Sequence, residues 1–344
     1  MAKELKVALL GNNGQIAPLA TAATPSNQNI EAYNALLQGN FYFTRLTVEH
    51  IRKAISYYEE AIRLDPRYAL AYAKLAGASL NLAVRDVTTA EREELTAKAR
   101  SSVERALTLD PNLAEAHRAK AGVLWTFDFN LAASAAEDRR AYELAPQNAA
   151  VVGDLAVGIG TLGQFEQAVA LLQRAISLDP LRQVSRLQLA SLLMTLGRYD
   201  EAEVVQRKAI ELQPQAPESV LGLALIQILR GNPAVAVELA KELADSGWRT
   251  YVLALAHFAN GDQVEADAAL KKLIDEHADS AGSQIAAVYA LRKDPEKMFV
   301  WLEHALTTKD AGVLELLGDP FLRAYKDDPR FIAFAQKVGV MPKP

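Results

Sequence analysis

The chain contains no cysteine, so disulfides, thiolate metal sites and a thiol nucleophile are excluded. The absence fits an oxidising or a reducing compartment equally well. Long apolar runs are missing too. The N-terminal stretch MAKELKVALLGNNGQ has an apolar core of only Val7–Leu10, too short for a signal segment or a membrane span. The longest strongly apolar run, Val220–Leu229, suits a buried helix. No dense Lys/Arg run occurs and the net charge is −5, so nothing draws the chain to nucleic acid or to an anionic membrane. There is no G-x-S-x-G elbow and no G-x-x-x-x-G-K-[ST] phosphate loop, which removes two common catalytic frameworks. His50, His117, His257, His277 and His304 stand at no i, i+3 or i+4 spacing from one another, so no metal or cofactor is expected.

What is present is a soluble composition: half of the 344 residues are hydrophobic and 23% are charged, enough to bury a large core. One phrase invites a chemical reading. In GDLAVGIGTLGQFEQA, Gly158, Gly160 and Gly163 spell G-x-G-x-x-G and Asp179 follows, the form of a dinucleotide-binding turn. Such a turn needs a strand before it. Here an apolar helical run precedes, and Gly163 has counterparts in TLGRYDEA, LRGNPAVA and ANGDQVEA at Gly197, Gly231 and Gly261. Glycine at the end of a helix supplies the left-handed residue that terminates it. Asp179 belongs to a different recurrence, a D-P stop.

That recurrence organises the chain. EEAIRLDPRYALAYAKLA, ERALTLDPNLAEAHRAKA, RRAYELAPQNAAVVGDLA, QRAISLDPLRQVSRLQLA and QRKAIELQPQAPESVLGLA are one phrase, with prolines at 66, 111, 146, 180 and 214. The intervals are 45, 35, 34 and 34 residues, so the unit is 34, with insertions in two copies. Small residues recur at column eight (Gly39, Ala76, Ala121, Ala156, Ala190, Ala224, Ala254, Ala286) and at column twenty (Ala54, Ala99, Ser134, Ala168, Ala202, Ala236, Ala266, with Met298 last). They let two antiparallel helices approach closely where they cross. Column twenty-seven is again mostly alanine, from Ala61 to Ala305, with Leu243 and Leu273 as exceptions.

A 34-residue helix–turn–helix period with these columns resembles the tetratricopeptide repeat over roughly residues 30–306. The resemblance implies an all-α fold: a right-handed superhelical solenoid of about eight helix pairs, with residues 307–344 as capping helices. Residues 1–29 read as an N-terminal tail and linker. The phrases EAYNALLQGNFYFTRLTVEHIRKAISYYEEAIRLDP and WLEHAL…DAGVLELLGDPFLRAYKDDPRF resemble the C-terminal arrays of bacterial class III adenylate/guanylate cyclases and winged-helix regulators. This implies a regulatory or sensory module whose catalytic or DNA-binding domain lies upstream. The chain itself carries no recognisable cyclase segment.

By that family's geometry the first helices line a concave groove. The lining residues here are Leu80, Asn81, Glu115, Arg118, Trp125, Val157, Thr161, Leu187, Ser191, Met194, Leu221 and Leu225. They are mostly apolar, which suits an amphipathic helix or an extended apolar peptide; packing against neighbouring repeats is the alternative for each. The carboxylate clamp of chaperone adaptors is absent, since its columns hold Ala73, Gly77, Arg118, Gly122, Gly153 and Val157. The expected function is a non-catalytic protein–protein interaction scaffold with a protein or peptide partner, allowing a homodimer. It would sit in the cytoplasm, or face the periplasm from a membrane-anchored parent. A small-ligand sensor is the alternative, and a nucleotide-binding enzyme built on GIGTLG the remote one.

Overall fold

The computed structural model describes residues 29–45, 47–85, 87–213 and 217–341. The tail and most of the linker expected at 1–29 lie outside the described residues. The described chain forms 17 α-helices and two short 3-10 helices, and no strand occurs among the described residues. The helices come in tandem pairs. These are α1 (Ile30–Phe43) with α2 (Val48–Leu64), α3 (Ala69–Ala83) with α4 (Thr89–Leu109), and α5 (Ala114–Thr126) with α6 (Leu131–Leu144). Next are α7 (Ala149–Thr161), α8 (Phe165–Leu178), α9 (Gln183–Thr195) and α10 (Tyr199–Leu212). Then come α11 (Pro217–Leu229), α12 (Pro233–Ala240), α13 (Gly247–Asn260) and α14 (Gln263–His277). The last pair, α15 (Gly282–Leu291) and α16 (Pro295–Thr307), is followed by 3-10 turns at Ala311–Glu315 and Leu322–Tyr325 and by α17 (Pro329–Val338).

Local chemistry sets these boundaries. Thr47, Thr88 and Asp294 each accept a bond from the backbone N–H three residues on, capping α2, α4 and α16. At the other end, Asp65, Asp110 and Asp179 leave the helical region while their N–H groups still reach Ala61, Ala106 and Ala175. Their carboxylates accept from the N–H groups of Arg67, Asn112 and Leu181 at 3.0, 3.0 and 3.1 Å. The proline that follows cannot continue the helix. The D-P stop is therefore a self-satisfied turn. The insertion in the second repeat lengthens α4 to 21 residues, whereas the sixth repeat shortens α12 to eight.

The small columns are the crossing points. Every residue of columns eight, twenty and twenty-seven is buried, and no alanine among them is more than 2% exposed. Glycine replaces alanine at Gly39 for a visible reason: a Cβ there would stand 2.4 Å from the ring of Tyr58. That ring is buried and its hydroxyl donates to Asn40 Oδ1 at 3.0 Å.

The chain divides into two compact units, Met1–Gly158 and Ile159–Pro344, so the boundary falls within α7. Unit 1 buries Ile51, Tyr58, Leu70, Leu82 and Leu95 in one core. In unit 2 the largest fully buried side chains include Leu172, Ile226, Leu255, Ile285, Leu302 and Phe331.

Candidate functional site

In each unit, first helices of successive repeats lie side by side: α3 against α5, then α9, α11, α13 and α15 in turn. This gives each unit a first-helix face. In unit 1 that face carries Leu80 and Asn81 from α3, Glu115, Arg118 and Trp125 from α5, and Val157 from α7. All six are half-buried. In unit 2 it carries Thr161, Leu187, Leu221 and Leu225, also half-buried, with Ser191 exposed and Met194 buried. Partial exposure at interior-facing helices distinguishes these positions from the small columns, which are closed.

Several of them are already engaged. Leu80 is seated over Gly122, where a Cβ would meet its Cδ2 at 2.6 Å. Asn81 Oδ1 accepts from the Arg85 guanidinium at 3.3 Å. The Arg118 guanidinium donates to Asp154 of α7 and forms an ion pair with it. The indole N–H of Trp125 is buried without a hydrogen-bond partner.

Behind Arg118 lies a group that the sequence reading missed. Asp138 of α6 is only 6% exposed. Burial pushes its carboxyl up to about 7, the nearby Asp154 charge adds to this, and Arg118 opposes it. Next to it, Glu137 takes hydrogen bonds from His117 and ion-pairs with Lys120, both at 2.6 Å. Burial raises the Glu137 carboxyl, but these two partners outweigh it and hold it below its ordinary value. A signal for Asp138 did exist. It occupies column twenty-four, where other repeats place Tyr58, Val103, Leu172, Leu270 and Leu302, all buried.

The glycine run has a packing explanation. Gly158 and Gly160 lie inside α7, with their backbones committed to the helix. A Cβ at Gly158 would stand 3.0 Å from Asp138 Oδ2, and one at Gly160 would press on Leu192 and Ala168 at 3.4 and 3.5 Å. Gly163, Gly197, Gly231 and Gly261 all have positive φ, between 73° and 87°, as helix-terminating residues require. Among the described residues no three carboxylate or imidazole groups gather as a metal-binding set. No helix among them is long and apolar enough to cross a membrane.

Toward the end of unit 2 the face changes. The columns that are half-exposed at Val157, Leu187, Leu221 and Leu225 are filled in the last two repeats by Tyr251, Leu255, Ser283 and Ala287, all buried. Residues 310–325 reach this part of the face. Asp310 Oδ2 accepts from the backbone N–H and hydroxyl of Ser283 at 2.9 and 2.7 Å, and the Tyr325 hydroxyl donates to the Ala290 carbonyl at 3.2 Å. Further along, the Thr195 hydroxyl donates to the Gly318 carbonyl, and the Arg323 guanidinium lies 4.7 Å over the Phe165 ring. Of the stretch expected as a cap, α17 packs beside α16. Arg330 bonds Glu296 at 2.7 Å and lies over Phe299, and Lys337 bonds Glu303 at 2.5 Å.

Comparison with known proteins bears on the repeat. Family models described as tetratricopeptide repeat match residues 46–68, 161–218 and 251–280. A search of curated proteins finds no match. Among solved structures, the chain is similar to one in the APC/C hetero-tetramer Cut9–Hcn1 (15% identity, 84% of this chain and 55% of that one, TM-score 0.59). It is also similar to the human IFIT1 dimer with m7Gppp-AAAA (15% identity, 80% and 72%, TM-score 0.57). A thermophilic TPR protein of Thermus thermophilus matches with 19% identity over 57% of this chain and 99% of its own (TM-score 0.47). At such identities the likeness concerns the fold. The helix pairs, the buried small columns and the matched stretches agree: the chain is built of tetratricopeptide repeats.

Proposed function

We propose that the chain binds a protein partner through its first-helix faces, taking an extended apolar peptide or one side of an amphipathic helix. The observation that carries this is the contrast in burial on the same helices. Ala76, Ala121, Ala156 and Ala190 are closed, while Leu80, Arg118 and Leu187 one turn away, and Val157 beside Ala156, keep surface open to water. Apolar side chains left half-exposed in a row are the feature that a peptide groove requires. On unit 1's face Arg118, Glu115 and Asn81 would fix the register of a segment bound there through its polar groups; on unit 2's face Leu187, Leu221 and Leu225 would supply apolar contact to a segment bound there. The likeness of the opening and closing phrases to arrays of bacterial signalling proteins supports a regulatory role within such a protein. No step of chemistry is assigned to the chain.

The test is a peptide-display selection against the whole chain, followed by binding measurements on variants. Leu80→Glu and Leu221→Glu should weaken selected peptides at least tenfold. Val204→Glu, at an exposed site on the second helix α10, should leave them unchanged. Peptides lost only with Val204→Glu would overturn the reading.

A further inference from the structure

The closed part of unit 2's face already shows what such a groove holds. The equivalent columns are open in the earlier repeats of this unit and buried in the last two, where the chain's own residues 310–325 reach them, at Ser283 through Asp310 and Gly312 and near Tyr251 through Asp319. This segment is apolar: Val313, Leu314, Leu316, Leu317, Phe321 and Leu322 are all buried. Yet it contains no α-helix, only two short 3-10 turns. Turns join the two, and local bonds fix the segment's course. Asp319 accepts from the N–H groups of Phe321 and Leu322 at 2.8 and 2.9 Å, and Arg323 donates to the Leu317 carbonyl at 3.3 Å.

Its bonds to the repeats are few, and they fall at face positions. Ser283 and Tyr251 occupy column five of their repeats, Ala290 column twelve and Thr195 column thirteen. Ser283 grips the acidic end at Asp310, Thr195 takes the Gly318 carbonyl, and Ala290 receives Tyr325. The Tyr251 phenol is driven well above its ordinary value by burial and then by the negative charge of Asp319, which places that carboxylate in its neighbourhood. Leu317 approaches the α7–α8 turn closely enough that a Cβ on Gly163 would touch its Cδ1 at 3.5 Å. Apolar side chains buried together and polar anchors at intervals are contacts that a bound peptide makes.

We propose that residues 311–325 are an internal ligand of unit 2, and that the partner of this face is a peptide of the same chemistry that competes with them. That partner presents an acid to Ser283, then a run of aliphatic side chains, then a carbonyl to Thr195. Tethering gives the internal segment a high effective concentration, so this face is open to a partner only when the segment is released. The inference rests on the peptide-groove reading for unit 2 and leaves unit 1's face open.

The absence of cysteine permits a direct test on the full chain. Gly318 can accept a side chain: a Cβ there would lie 3.9 Å from Thr195 Oγ1 with no backbone atom closer than 3.4 Å. In Thr195→Cys/Gly318→Cys the two sulfurs are the only ones able to pair, so oxidation locks the segment and reduction frees it. The probe is a fluorescent synthetic peptide spanning residues 309–326. It should bind the reduced form, bind Asp310→Ala, in which the internal anchor is lost and the face is intact, at least tenfold more tightly than the unaltered chain, and lose at least tenfold in affinity on oxidation. Amides of 311–325 should also exchange with solvent while those of α13 and α15 stay protected.

Equal binding to oxidised and reduced forms would overturn the proposal. So would no binding to any form, or exchange of 311–325 only together with α13 and α15. A display-selected peptide that binds both redox forms alike and is lost with Leu221→Glu, on unit 2's own face, would sink this inference while sustaining the interaction reading.

Discussion

Replacing Asp138 by asparagine should stabilise unit 1 in alkaline solution and leave it nearly unchanged in acid. The side chain is buried between α6 and α7 and is faced by Asp154, Glu137, the Arg118 guanidinium and the close backbone of Gly158. Its carboxyl is raised from 3.8 to about 7 in the folded protein. Below pH 3.8 both folded and unfolded chains carry the proton, so stability does not depend on this group. Between there and about 7 the folded state holds one more proton than the unfolded state, and the free energy of unfolding falls as pH rises. At ~1.4 kcal/mol per pH unit, the cost accumulated above pH 7 is ~4 kcal/mol.

The isosteric amide has no charge to desolvate. The stability difference between Asp138→Asn and the parent should therefore grow from near zero at about pH 3 through ~1 kcal/mol at about pH 4.5 toward ~4 kcal/mol at about pH 8.5. Other titrating groups cancel in that difference. Urea unfolding followed by fluorescence would measure it, with Trp248 and Trp301 changed to Phe so that Trp125 alone reports unit 1. A difference that stays flat over that range would mean that Asp138 is solvated in the folded state and that the burial argument is wrong.

Removing Arg118, as Arg118→Met, takes away the charge that holds the Asp138 carboxyl down, so its carboxyl carbon should titrate at a higher pH by NMR than in the parent. Gly39→Ala drives a methyl into the pinned ring of Tyr58 and should cost ~1–3 kcal/mol in urea. Gly77→Ala, with nothing within 4 Å of the new Cβ, should instead gain ~0.5–1 kcal/mol. Gly197→Ala, in open space but at φ 73°, should lose ~1–2 kcal/mol from backbone strain alone. NAD(H) at about one hundred times a dissociation constant would add ~2.7 kcal/mol of stability; an unchanged melting temperature is expected, and a clear rise would reopen the nucleotide reading of GIGTLG.

The repeat was legible because it is written in small residues. Ala190 or Ala224 cannot be enlarged without separating two helices, so a 34-residue recurrence of alanine is a direct trace of close approach. The helix ends were legible for a similar reason, since Gly163 and its three counterparts answer a backbone requirement at one φ. Two things did not show. Asp138 looks like any polar residue of an amphipathic helix until its column is compared with Leu172 and Leu302. The course of residues 311–325 left no periodic mark at all. Thr195 and Gly318 are 123 positions apart, and a single hydrogen bond between such distant residues imposes no pattern on either neighbourhood. The half-exposed face residues lie between these cases: their columns were readable, but whether water or the chain itself covers them depends on what folds back.

The Thr195–Gly318 bond also has a consequence for how the protein folds. A linear stack of repeats has only nearest-neighbour couplings, so it frays from its ends and can melt one unit at a time. In unit 2 the terminal segment ties the eighth repeat to the fifth and closes the stack into a ring of contacts. The repeats between them then unfold only after the segment has let go, and its formation demands a long loop closure that slows assembly. Among the described residues no such tie spans unit 1, whose first helix carries the exposed side chains of Ile30, Leu37 and Phe41. The two halves of one repetitive sequence therefore differ in kinetics: unit 1 frays freely from α1, whereas the last repeats of unit 2 fray only once the segment has left them.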